Sequence, residues 1–225
     1  MDIMEAMKNR HSVRSYTDEK IEGEVLDTLH QAIAECNQAS GLSIQLCLNE
    51  PAAFTGMMAR YGKFNNVKNY IALVGKKSDV LEEQCGYYGE KIVLKAQQLG
   101  LNTCWVAMTF SKGKSKSAIK IKPSEKLLMV IPIGYGENSG VSHKVKSIEE
   151  LSKVSGVMPD WFRSGMEAVQ LAPTAMNQQK FTFVLNNDTV STSAGSGFYT
   201  KVDLGIAKYH FEVGAGDSGW KWVPN

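Results

Sequence analysis

Residues 10–16 read Arg-His-Ser-Val-Arg-Ser-Tyr, two arginines, a histidine and two serines in seven positions with no carboxylate among them. Such a donor-rich cluster suits an anion, because arginine presents a planar fork of N–H groups to paired oxygens or to the polar edge of a heterocycle. The plain alternative is a solvated helix end whose cations offset the carbonyl dipole, an effect of about 0.3–1 kcal/mol. On composition alone that alternative is the better reading.

A second constellation is Leu171-Ala-Pro-Thr-Ala-Met-Asn-Gln-Gln179, a proline-broken turn. Pro173 must end any helix before it, and Thr174 with Asn177 would offer hydroxyl and amide groups to a polar ring edge. A turn that satisfies its own backbone through those side chains is the competing reading. The third is His143-Lys144-Val145-Lys146, where extended backbone puts both lysines on one side. A solubilising loop is the commoner origin of such a run.

Other chemistries are excluded by what is missing. Cys36, Cys47, Cys85 and Cys104 form no CxxC pair, and the four histidines do not gather near them, so no metal site is expected. There is no GxGxxG, no Walker lysine, no GxSxG and no HExxH, which disfavours a dinucleotide-binding Rossmann domain and a serine hydrolase.

Alternating helices and strands position these clusters. Asp2 caps a short helix that ends before Arg10, and a second helix follows Thr17 and Asp18 with Ile21, Val25, Leu29 and Ile33 on its apolar face. Leu42–Leu48 alternates as a half-buried strand, residues 50–68 are irregular, and Asn69–Gly75 is a buried strand. A helix over residues 80–99 stops at Gly100 as a C′ residue, and strands follow at Asn102–Met108 and Leu127–Gly134. A helix at 160–171, a strand at Phe181–Leu185, a polar loop at 187–200, a helix at 201–215 and a strand at Trp220–Val223 complete the chain. An offset of 116 relates Gly89 to Gly205 and Gly100 to Gly216, each pair followed by tryptophan. Two similar units of this kind tend to pair about a pseudo-twofold axis.

The chain has 225 residues, 43% hydrophobic and 21% charged, with a net charge of +2. Its size and composition fit a globular chain, and the small charge argues against nucleic acid as a partner. No apolar run approaches the length needed to span a bilayer, so a reduced, cytoplasmic protein without a membrane partner is expected.

Together, four ordered motifs resemble the nitroreductase family of FMN flavoproteins. Arg10–Tyr16 is similar to its RxSxRxF/Y signature and Ala172–Gln179 to its APSxxNxQ turn. Gly100-Leu-Asn-Thr-Cys-Trp-Val106 is similar to its GLGTCW strand, and Ile133–Gly136 with Lys144 and Lys146 to its GYP motif and trailing basic pair. The likeness covers nearly the whole chain and is greatest to the branch in which two half-subunits are fused in tandem. It implies an α+β fold with a central, mostly antiparallel sheet flanked by helices. It also implies one nitroreductase-like domain over 1–225, with pseudo-symmetric halves at about 1–136 and 147–225 joined by a linker at 137–146. The first half keeps the arginine cluster and the second keeps the turn, so one FMN site per chain is expected. A monomer then suffices, and a homodimer remains compatible.

The resemblance also implies roles. Arg10, Ser12, Lys144 and Lys146 would hold the FMN phosphate and ribityl chain, with His11 beside them. Arg14 would face the ring edge where negative charge collects on reduction. Pro173, Thr174, Ala175 and Asn177 would line the ring from the second half, and Ala107, Met108 and Thr109 would bring backbone N–H groups to it. No side chain serves as nucleophile or base, because hydride passes from NADH or NADPH to the flavin and then to a small-molecule acceptor, nitroaromatic or quinone-like. The alternative is a non-catalytic flavin- or ligand-binding module. Lys180-Phe181 in place of Pro-Trp, Met108 in place of a small residue and Gly136 in place of proline depart from the family pattern.

Overall fold

Asp2 does cap the first helix, its Oδ1 accepting the Glu5 backbone N–H at 2.8 Å, and α1 runs over Ile3–Asn9. The computed structural model describes residues 1–223, so the last two residues of the expected second half lie outside the described residues. These residues form two compact units.

The first unit holds residues 9–81 and 91–142 together with Met1. Its helices are α2 (Gly23–Ser40), α3 (Met57–Tyr61), the later turns of α4 (Leu81–Gln98) and α5 (Lys112–Ser117). Its strands β1 (Gln45–Cys47), β2 (Asn69–Lys76), β3 (Asn102–Thr103) and β4 (Glu125–Gly134) form an antiparallel sheet in the order β1-β2-β4-β3. The interior strands β2 and β4 are near-continuous apolar runs because both their faces are covered.

Several boundaries differ from the sequence pattern for local reasons. α2 begins after Ile21 because Asp18 does not cap it; that carboxylate accepts from Asn66 at 2.9 Å and from Lys68 at 2.6 Å. β3 stops at Thr103 although its register continues to Val106 opposite Val130. Pro132 stands opposite Cys104 in that register and has no N–H to donate, so one ladder bond is missing. α4 ends as expected, with Gly100 at φ 82°. The Gly100 N–H donates to Gln97 O at 3.1 Å and the Leu101 N–H to Ala96 O at 2.9 Å, the paired bonds of a Schellman ending.

The second unit holds residues 2–8, 82–90 and 143 onward. It contains α6 (Ile148–Leu151), β5 (Ser152–Val154), α7 (Asp160–Val169), β6 (Phe181–Asn186), β7 (Thr189–Ala194), α8 (Thr200–Ala215) and β8 (Lys221–Trp222). Its sheet runs β5-β6-β7-β8, with β6–β7 antiparallel and both edge pairs parallel. The strands divide between two four-stranded sheets, and the expected antiparallel sheet is that of the first unit. Residues 137–147 between β4 and α6 carry no helix or strand. β7 lies within the stretch read as a polar loop; it pairs with β6 through a two-residue turn at Asn187-Asp188, and only Val190 is buried along it.

Within this unit the first turns of α4 cross α8 with their backbones in contact. A Cβ on Gly86 would stand 2.1 Å from the Val202 carbonyl oxygen, and one on Gly205 would stand 2.0 Å from that of Glu83. The contact is reciprocal, each glycine facing the residue three before the other. Lys208 Nζ reaches Glu83 Oε1 at 2.6 Å, and the fully buried His210 and Glu90 meet at 3.0 Å. Among the described residues no helix is long and apolar enough to cross a membrane.

Candidate functional site

In the first unit, residues 10–16 form an extended arm pinned on both sides. Ser12 bridges Thr103, Ser15 bridges Asn65 and Tyr16 bridges Gly136. The Val13 N–H donates to Thr103 O at 3.0 Å, and the Asn65 N–H to Arg14 O at 2.9 Å. Buried Val13 and Tyr16 anchor the arm in the core; the Tyr16 hydroxyl donates to Val13 O at 2.8 Å. Anchoring those two leaves Arg14 exposed, while Arg10 is 3% exposed.

Arg14 opens on a cavity of about 410 Å³ with Tyr61, Lys63, Phe64, Trp105 and Thr109 around it. Of the three expected residues after Val106, Thr109 lines this cavity, whereas Met108 is 66% exposed to solvent. Cys104 also borders it. Burial pushes its thiol pKa up, against the opposing pull of Arg14, the Ser12 hydroxyl and Arg10, so it stays protonated and is no nucleophile. Burial and then neighbouring Arg10 hold the His11 pKa below its usual value, which keeps that ring neutral at pH 7.

In the second unit, Lys144 and Lys146 lie against the turn at residues 173–179. The Asn177 amide donates to Lys144 O at 2.8 Å, and Thr174 Oγ1 accepts from the Gln179 N–H at 3.2 Å. Thr174 therefore satisfies the turn's own backbone while Asn177 ties the turn to the lysine segment, and the Thr174 hydroxyl keeps its own proton to donate. Lys146 Nζ donates to the carbonyls of Gln178 and Gln179 at 3.1 and 3.0 Å, which uses two of its three donors. Lys144 is exposed.

Gln179 in this turn and Asp203 beside it carry more than the sequence suggested. Buried Gln179 accepts the Lys146 N–H at 2.9 Å and donates to Lys144 O at 2.9 Å, so one amide clips the lysine segment in place. Buried Asp203 on α8 accepts the Ala175 N–H at 2.9 Å and the Gln178 amide at 2.7 Å. Burial raises its pKa to about 6 against those two hydrogen bonds. Met176, Asn177 and Gln179 all take positive φ, at 51°, 54° and 45°, a strain of order 1–3 kcal/mol each that persists only where the surroundings over-determine it. Gln179 stood in the quoted motif without a role; Asp203 had no local signal. Among the described residues no group of three or more His, Cys, Asp or Glu could hold a metal ion.

Residues 2–215 match the family model described as Putative TM nitroreductase. Among solved structures the chain is similar to a putative nitroreductase from Thermotoga maritima, 23% identical over 95% of this chain and 83% of that one, with a TM-score of 0.66. It is also similar to a putative nitroreductase from Desulfovibrio desulfuricans solved in complex with FMN, 17% identical over 67% of this chain and 95% of that one, TM-score 0.53. A nitroreductase family protein from Streptococcus pneumoniae aligns at 14% identity over 66% of this chain and 98% of that one, also at 0.53. No curated protein matches. At these identities the solved structures establish the fold, and the mixed α and β architecture expected from the sequence is the one found.

Proposed function

The chain belongs to the nitroreductase family matched by residues 2–215, and from that premise we propose that it is an FMN-dependent oxidoreductase. It draws electrons from NADH or NADPH and reduces small nitroaromatic or quinone-like acceptors. The observation that carries this reading is the pinned arm, which presents Arg14 to a cavity walled by Tyr61, Phe64 and Trp105. The arm's donor set fits a flavin nucleotide: guanidinium and hydroxyl groups for the phosphate and the ring edge, and no carboxylate in the arm to repel the anion. The Desulfovibrio relative with FMN bound lends weight to the same cofactor.

When bound, FMN supplies the two-electron chemistry that no side chain here provides. Arg10 and Ser12 would hold its phosphate and ribityl chain with His11 beside them, and Arg14 would offer a fixed positive charge to the ring edge. Thr109, with Ala107 and Met108, gives backbone N–H groups. On the sequence resemblance, Lys144 and the remaining donor of Lys146 belong to the phosphate set, and Pro173, Thr174, Ala175 and Asn177 to the ring contacts. The reading needs no nucleophile or base, in keeping with the protonated state of Cys104.

We read the chain as two fused halves, so that a monomer suffices for function. The offset of 116 that relates Gly89 to Gly205 and Gly100 to Gly216 supports this. The assignment of phosphate donors is tested by titrating the protein with FMN and with riboflavin, which lacks the phosphate. At least two charge-assisted bonds to the phosphate make FMN bind about 100-fold more tightly; equal affinities would sink the assignment.

A further inference from the structure

The cavity beside Arg14 holds two cations, Arg14 and Lys63, three aromatic rings and no acid. Among the described residues neither cation forms a salt bridge. The aromatic wall is braced: Phe64 meets Phe54 edge-on at 5.2 Å, and Phe54 stacks on Phe110 at 6.3 Å and tilts against Tyr70 at 6.1 Å. Tyr61, in contrast, is 81% exposed.

Lys63 owes its place to an unusual backbone. It follows α3 at φ 58°, in the left-handed region that a non-glycine residue enters only at a cost. The turn is closed by the Lys63 N–H donating to Arg60 O at 2.9 Å and the Phe64 N–H to Ala59 O at 3.0 Å. Two residues on, Asn65 is bonded to Arg14 through its own N–H at 2.9 Å. The strained turn is thereby joined to the arm, and Lys63 and Arg14 line the same cavity.

We infer that this cavity selects an aromatic acceptor bearing an anionic substituent, with Lys63 taking the anion and Tyr61 stacking on the ring. Lys63 is the discriminating residue, because Arg14 is assigned to the cofactor. The inference rests on the oxidoreductase reading for its chemistry. For a nitroarene that chemistry balances as NAD(P)H, one proton and the nitroarene giving NAD(P)⁺, a nitrosoarene and water.

The experiment compares 4-nitrobenzoate with its neutral methyl ester on FMN-loaded protein, by equilibrium dialysis for binding and by NAD(P)H oxidation for turnover. The wild type binds the carboxylate about tenfold more tightly, the low end for a charge-assisted hydrogen bond. Lys63→Gln abolishes that preference and leaves the ester unaffected; Tyr61→Ala weakens both ligands by a similar factor, about fivefold. Equal affinities in the wild type, a preference that survives Lys63→Gln, or failure of both ligands to bind overturns the inference. A carboxylate preference on a protein whose flavin neither NADH nor NADPH reduces supports the cavity assignment and refutes the oxidoreductase reading instead.

Discussion

Replacing Gly205 by alanine tests the crossing on which the second unit is built. The new methyl would stand 2.0 Å from the Glu83 carbonyl oxygen and 2.8 Å from the Tyr87 nitrogen. Both are backbone atoms, so no rotamer change makes room. The two helices must part by roughly 1 Å, and overpacking of this kind costs about 1–3 kcal/mol, with rigid backbone on both sides favouring the upper end. Parting them also loosens the Lys208–Glu83 pair at 2.6 Å and the buried His210–Glu90 contact at 3.0 Å. Against this, alanine is a better helix former than glycine by about 1 kcal/mol. The net loss is about 2 kcal/mol. Urea unfolding, followed through the fluorescence of Trp161, Trp220 and Trp222 in the same unit, reads it as a midpoint lower by roughly 0.7 M at a slope of about 3 kcal/mol/M. Gly113 in α5 is the control, since a Cβ there meets nothing within 4 Å; its alanine variant holds or raises the midpoint. A Gly205→Ala midpoint at or above that of the wild type would refute the close crossing.

Gln179→Ala strips the clip from the lysine segment: the Lys146 N–H loses its amide partner, and the Lys144 carbonyl keeps only the Asn177 amide. A loss of about 1–3 kcal/mol in urea unfolding is expected, and a change below a few tenths would contradict that role. Asp203 gives a pH signature. Its folded-state pKa is raised from 3.8 to about 6, so its stabilising contribution is fully present below the unfolded value and is lost as pH rises through about 6. The stability of wild type relative to Asp203→Asn should therefore fall by about 2–3 kcal/mol between pH 3.5 and pH 7. A gap that does not change with pH contradicts the assignment.

The readable parts of the chain were those in which one local rule acts unopposed. Asp2 has a helix to cap and no competing partner, and Gly100 supplies the left-handed residue that a Schellman ending requires. The apolar runs of β2 and β4 follow from burial on both faces. Where long-range partners intervene, the pattern misleads. Asp18 binds Lys68 and Asn66 rather than starting α2, which begins at Gly23, and Pro132, distant in sequence, interrupts the ladder along β3. β7 reads as loop because it is built mostly of Ser and Thr, with Val190 its single buried residue. α6 could have been found, since Ser147 and Glu150 have the spacing of the capping box they form.

The candidate site divides in the same way. The arm stood out through its charges, and its anchors Val13 and Tyr16 lie within the same motif. Tyr61 and Lys63 come from a stretch with no periodicity, and only the turn after α3 brings them to the cavity. Asp203 is the one buried acid of α8, and its link to Ala175 and Gln178 needs the fold to be seen.

The most direct test of the central claim is the visible spectrum of the FMN-loaded protein, freed of excess flavin, on anaerobic addition of NADH and then NADPH. The account predicts that the flavin bands are retained after washing, bleach with one of the two donors and return when a nitroaromatic or quinone acceptor is added. Protein that washes colourless, or bands that persist with both donors, would contradict it.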